Sequence, residues 1–229
     1  PSVGATENLL MASVQARGTT VLKNAAREPE IGNLIEMLTN MGADIEGKGT
    51  DQLTIRGVSK LKAARTAIIP DRIETGTYLM AIAAAGGRAT ITDCEPGHLP
   101  ALLDKLMEAG VEIDCGSTSI SVKMDAQQRK RLKGVDIKTM VYPGYPTDLQ
   151  AQFMALMCLA DGTSVISETI FENRFMHVSE LNRLGADIWL KGNIAAVVQS
   201  GSVALALAGG RGVGVATLLA TASLGARVV

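Results

Sequence analysis

Leu38-Thr39-Asn40-Met41-Gly42-Ala43-Asp44-Ile45 is the key to the architecture, because the chain repeats it. It returns as Leu106-Met107-Glu108-Ala109-Gly110-Val111-Glu112-Ile113, and again as Leu181-Asn182-Arg183-Leu184-Gly185-Ala186-Asp187-Ile188. Gly42 and Gly110 are 68 residues apart, and Gly110 and Gly185 are 75 apart. A second landmark precedes each copy: Gly18-Thr19-Thr20-Val21, Gly87-Arg88-Ala89-Thr90-Ile91 and Gly162-Thr163-Ser164-Val165-Ile166. Its glycines lie 69 and 75 residues apart. Two landmarks sharing one period mark an internal repeat of about 70 residues.

Each unit reads alike. A helix is predicted over 6–16, 74–85 and 147–160, and in the third Leu149, Phe153, Leu156, Met157 and Ala160 form a stripe at helical spacing. Thr147 and Gln150 read as a capping box. The run Tyr78–Ala85 is nearly apolar all round, which predicts a buried helix. A glycine ends each helix and a β-branched strand follows. A second helix leads into the repeated glycine, and closing strands are expected at 51–55, 117–122 and 193–198. The unit is β-α-β-α-β-β or a rotation of it, with helices inside and sheets outside.

Composition narrows the function classes. Lys+Arg is 22 and Asp+Glu 23, so no charge excess calls for nucleic acid or an anionic membrane. Aromatic residues are only 3%, too few for base-stacking platforms. Cys94, Cys115 and Cys158 form no C-x-x-C pair, which fits a reducing cytoplasm. His98 and His177 are the two histidines, and no H-E-x-x-H motif exists, so zinc chemistry is not expected. The opening Pro1-Ser2-Val3-Gly4 has no basic or apolar leader pattern and no initiator Met, so the expectation is a chain that begins inside a longer protein. Residues 199–229 form a Gly/Ala/Val-rich tail. Gly209-Gly210-Arg211-Gly212 interrupts it, so no membrane span is expected, and Val215 stands where a dinucleotide fingerprint needs glycine. No cofactor is expected.

Five longer stretches carry a resemblance: Pro1–Thr6, Asn24–Ile31, Pro70–Thr77, Tyr145–Phe153 (YPTDLQAQF) and Glu168–His177 (ETIFENRFMH). In this order, up to about Val198, they resemble the enolpyruvyl transferases, and among them the UDP-N-acetylglucosamine 1-carboxyvinyltransferases. The resemblance implies an α/β fold of the inverse α/β barrel type, built from βαβαββ units with helices buried and sheets outside. It implies that residues 1–69 are the last unit of one domain and that 70–198 are two units of a second. It implies transfer of the enolpyruvyl group from phosphoenolpyruvate to the 3-hydroxyl of UDP-N-acetylglucosamine, releasing phosphate. Such chemistry needs a base at the sugar hydroxyl, an acid at the enol methylene, and cationic clamps on phosphate and carboxylate.

The resemblance assigns the sugar hydroxyl to Asp148, which reads as a first-turn acid where the helix dipole favours negative charge. An ordinary first-turn acid is the other reading. Ser2, Val3 and Gly4 precede the predicted helix at Thr6, where backbone N–H groups can meet a diphosphate; the other reading is a plain helix cap. Ile170 matches a position touching the sugar nucleotide through its backbone, and is otherwise a strand residue. Arg174 offers a planar fork that the resemblance places near the phosphoenolpyruvate carboxylate; its alternative is an ion pair with Glu172 or Glu168. Arg72 and Glu74 read as structural or hinge residues at the crossover near Pro70.

Other features read as decoys. Lys23-Asn24 mimics an essential Lys-Asn pair from another context. None of the three cysteines matches the acid catalyst, which the resemblance puts on a loop upstream of Pro1, and Cys158 reads as a small core residue. Arg129-Lys130-Arg131-Leu132-Lys133 reads as a solvated loop. After Asn193 the pattern departs: Leu218 and Ala220 stand where an acid and an arginine clamp belong. The expectation is an incomplete fragment, inactive alone, whose partners are its two substrates and the missing upstream part of the same enzyme. The competing reading is a non-catalytic repeat-barrel module for binding or scaffolding.

Overall fold

The computed structural model describes residues 1–129 and 131–199, so the expectations for Lys130 and for the tail beyond Gln199 fall outside the described residues. The described chain divides into two compact units: Pro1–Ile69 with Val141–Pro143, and Pro70–Met140 with residues 144–199.

The first unit runs α1 (Val3–Ser13), β1 (Thr19–Lys23), α2 (Pro29–Asn40), β2 (Asp44–Glu46) and β3 (Gln52–Arg56). Pro29 opens α2, where its missing N–H costs no hydrogen bond. β3 lies between β1 and β2, antiparallel to both. Leu53 and Ile55 alternate onto the inner face of β3, and there they meet Leu10, Ile31, Ile35 and Leu38 of the two helices.

The second unit repeats this order twice. Its first copy is α3 (Arg72–Ala85), β4 (Gly87–Thr92), α4 (Pro100–Glu108), β5 (Glu112–Cys115) and β6 (Ser119–Met124). A short α5 (Ala126–Arg129) and β7 (Ile137–Lys138) lead to the second copy. That copy opens with a 3₁₀ turn at Thr147–Leu149 and continues as α6 (Gln150–Met157), β8 (Thr163–Ser167), α7 (His177–Arg183), β9 (Asp187–Lys191) and β10 (Ile194–Val198). Again the last strand of each copy is central: the sheets run β4-β6-β5 and β7-β8-β10-β9. β7 pairs parallel with β8 across α6, so β7-α6-β8-α7-β9-β10 is a whole βαβαββ unit. The described strands thus form three separate sheets in a mixed α/β fold.

The repeated glycine closes a helix by the same bonds in each copy. Ala43, Val111 and Ala186 donate main-chain N–H groups to Leu38, Leu106 and Leu181, at 2.9, 2.9 and 3.0 Å. Gly42, Gly110 and Gly185 take φ of 102°, 95° and 96°, as a Schellman turn requires.

α6 is the helix buried nearly all round: seven of its eight residues, Gln150 and Gln152 through Met157, are inaccessible. It packs on α3 through one core that includes Leu79, Met80, Leu149, Phe153 and Leu156. Gly76 of α3 makes room for Leu102 of α4 and for Leu149 in the turn ahead of α6, since a Cβ there would lie 2.7 Å from a methyl group of each. The expected all-round burial of Tyr78–Ala85 is corrected. Leu79, Met80, Ala83 and Ala84 are inside, but Tyr78 is 56% exposed on the other face of α3. Among the described residues no helix is long and apolar enough to cross a membrane.

Candidate functional site

Asp148 lies in the 3₁₀ turn ahead of α6, one residue after Thr147 and two before Gln150. The predicted capping box is not formed. The Thr147 hydroxyl donates instead to Glu168 Oε2 at 2.8 Å, and the α6 N-cap position, Leu149, has no side-chain bond to offer. A partner 21 residues away wins over the local one, and the chain enters α6 through a tighter turn. The Gln150 amide is buried with neither polar atom partnered, and Gln152 uses only its Nε2, on Thr77 Oγ1 at 3.2 Å.

Arg174 meets Asp148. Its Nη2 donates to Asp148 Oδ1 at 2.6 Å, and its guanidinium lies 4.8 Å from the centre of the Phe171 ring. This corrects the alternative of a pair with Glu172 or Glu168. Glu168 is committed elsewhere: Oε1 accepts from Thr139 Oγ1 at 2.9 Å, Ile170 N at 2.8 Å and Phe171 N at 3.1 Å. Ile170 belongs to the loop after β8, not to a strand, and its main-chain N–H is spent on Glu168. Just beyond, His177 begins α7 with its ring edge-on to Phe175 and its buried Nε2 unpartnered. Burial, and then the charge of Arg174, lower its pKa to about 4.

In the first unit, helix α1 starts at Val3, three residues before the expected Thr6. Ser2 is its N-cap, with Oγ accepting from Ala5 N at 3.3 Å. Val3 and Gly4 therefore form the first helical turn, where main-chain N–H groups have no partner within the helix. Thr6 explains the early start: its hydroxyl donates to Ser2 O at 2.8 Å and accepts from Ala26 N at 3.0 Å, fastening the turn inward. Asp148, Ile170 and Arg174 are thus gathered in the second unit, while Ser2, Val3 and Gly4 belong to the first.

The remaining expectations find ordinary places. Asp71 caps α3 by accepting from Ile73 N and Glu74 N at 2.7 and 3.1 Å, which puts Arg72 and Glu74 in a helix start. Lys23 ends β1, and Asn24 takes a left-handed turn at φ 56°. Cys158 is fully buried, and burial pushes its thiol up to about 12. Burial also raises Cys94 and Cys115. Leu132 of the basic cluster is a core residue. Among the described residues, no His, Cys, Asp and Glu group of three or more is placed to hold a metal. Sequence reading left out Thr139, gave Thr147 only a capping role and offered Glu168 only as an ion-pair partner, whereas Glu168 binds both threonines.

Comparison with known proteins shows the family. The sequence model of the EPSP synthase (3-phosphoshikimate 1-carboxyvinyltransferase) family matches residues 1–214, past the Val198 at which the motif resemblance stops. The UDP-N-acetylglucosamine 1-carboxyvinyltransferase of Geotalea uraniireducens (strain Rf4) is 55% identical over 196 residues, covering 86% of this chain and 46% of that protein. The crystal structure of the enolpyruvyl transferase NikO from Streptomyces tendae superposes with a TM-score of 0.77 at 25% identity, over 96% of this chain and 52% of that one. The chain thus spans about half the length of the relatives it matches. It belongs to the EPSP synthase (3-phosphoshikimate 1-carboxyvinyltransferase) family of enolpyruvyl transferases.

Proposed function

We propose that this chain is part of an enzyme that moves the enolpyruvyl group of phosphoenolpyruvate to the 3-hydroxyl of UDP-N-acetylglucosamine, the first committed step of peptidoglycan synthesis, in the cytoplasm. The observation that carries the reading is the Asp148–Arg174 pair, an acid and a fixed cation 2.6 Å apart beside the start of a buried helix. The 55% identity to a UDP-N-acetylglucosamine 1-carboxyvinyltransferase supports that substrate class.

In this reading Asp148 takes the proton of the sugar hydroxyl as its oxygen attacks the enol carbon. Arg174 turns its fork to the substrate carboxylate, and its hold on Asp148 is released as the ligand arrives. The first turn of α1, with Ser2, Val3 and Gly4, and the backbone at Ile170 serve the nucleotide side. The acid that protonates the methylene, and further cationic clamps, come from the rest of the enzyme.

The same reading takes residues 1–69 as the last βαβαββ unit of one lobe and 70–198 as two units of the next, each lobe an inverse α/β barrel. Support comes from the burial of α6 and from strands such as β6, whose residues alternate between buried and partly exposed. It also comes from α1, where Leu9 and Met11, on either side of the buried Leu10, are about half exposed and free to meet further helices of its own lobe.

The test is reconstitution. The purified chain alone releases no phosphate from the two substrates. Adding the upstream part of the enzyme restores release with the wild-type chain and not with Asp148→Ala. Release by the chain alone, or equal restoration by the variant, contradicts the proposal. Failure to bind either substrate points to the non-catalytic module instead.

A further inference from the structure

The three repeats diverge at one position. Their first-helix strands end opposite the start of the closing strand: Lys23 faces Gln52, Thr92 faces Ser119 and Ser167 faces Ile194. The next residue is Asn24, Asp93 or Glu168. Asn24 and Asp93 are left-handed, at φ 56° and 55°, a conformation these short polar side chains tolerate. The residue after each then donates its N–H across, Ala25 to Asp51 O at 2.9 Å and Cys94 to Thr118 O at 3.2 Å. The third repeat drops the turn. Glu168 itself donates its N–H to Asn193 O at 2.9 Å, and its side chain points inward, 2% exposed.

A buried carboxylate is costly unless hydrogen-bonded, and the scaffold does without one twice. What Glu168 gains is a link between two segments. Oε2 holds the hydroxyl of Thr147, the neighbour of Asp148. Oε1 holds the N–H groups of Ile170 and Phe171, and Phe171 supports Arg174 from below. The Thr139 hydroxyl, fully buried, anchors that same oxygen to the β7 side at 2.9 Å. These four bonds come from hydroxyls and main chain, and among the described residues no cation pairs with the carboxylate to fix it elsewhere.

We propose that Glu168 is a positioning residue of the candidate site, one carboxylate that sets the approach of Asp148 to Arg174 by holding the segment of each. The inference rests on the reading of Asp148 and Arg174 as the substrate-facing pair.

The experiment uses the full chain labelled with ¹⁵N-arginine. It reads the Arg174 side-chain NMR signal and the affinity for UDP-N-acetylglucosamine by calorimetry. Asp148→Ala gives the reference signal of an unheld Arg174. Thr147→Val cuts only the link to the Asp148 side and is expected to move the Arg174 signal toward that reference and weaken binding about tenfold. Glu168→Ala should do the same. Glu168→Gln keeps an acceptor for Thr139, Ile170 and Phe171 and offers its amide to the Thr147 oxygen, so signal and affinity should stay near wild type. If Glu168→Ala fails to fold, Thr147→Val decides. An unmoved Arg174 signal and unchanged affinity in Thr147→Val, with only thermal stability lowered, overturns the inference. If the wild-type chain binds no UDP-N-acetylglucosamine, the functional reading falls. The Arg174 signal then judges the positioning alone: moved by Thr147→Val it stands, unmoved it is overturned.

Discussion

Asp148 is about half exposed and Arg174 about a fifth, so their contact is a tie that a ligand can undo. An ion pair this open is worth about 0.2–1 kcal/mol. Arg174→Ala is therefore expected to lower the stability of the chain by less than about 1 kcal/mol in urea melts, with its effect confined to ligand binding. Gln150 presents the opposite case. Its amide is buried with both polar atoms unpartnered, and that desolvation is a standing cost. Gln150→Met should raise the unfolding free energy by about 1–2 kcal/mol, and a fall in urea midpoint would refute this. His177 gives a pH signature. Its folded pKa, about 4, lies below the ordinary value of 6.5, so the unfolded chain binds the extra proton first. Its contribution is complete above pH about 6.5 and is lost as pH falls toward 4, on the order of 1–3 kcal/mol. The stability of His177→Phe should show correspondingly less loss over that window than wild type.

The Schellman glycines are the elements' fixed points. A β-carbon at the φ of Gly110 costs about 1–2 kcal/mol, so Gly110→Ala should lower the melting temperature, and an unchanged value would count against the motif. Those glycines were legible in the sequence because a left-handed turn admits few residues, and the strands at Gly18, Gly87 and Gly162 were legible from β-branching. The start of α6 was not. Thr147 and Gln150 satisfy the local capping pattern, yet Thr147 spends its hydroxyl on Glu168, which no local pattern announces. The Asp148–Arg174 contact joins residues 26 apart for the same reason: a tertiary partner leaves no mark at either position. Tyr78 escaped because an apolar run does not say which of its faces the neighbours reach.

At the scale of the molecule, each unit keeps its own core, one around Leu10, Ile35 and Ile55 and the other around Leu79, Leu106 and Phe153. Truncating Phe153 to Ala removes a fully buried ring and should cost about 3–5 kcal/mol. Hydrogen exchange should show lost protection concentrated in residues 70–199, and loss spread evenly over both units would contradict two cores. The proposed function requires Asp148 to meet a nucleotide sugar. Calorimetry of the full chain with UDP-N-acetylglucosamine, wild type beside Asp148→Ala, tests it most directly. Measurable binding that weakens at least about tenfold in the variant is the predicted result; no heat of binding to the wild type, or equal affinity in both, would contradict it.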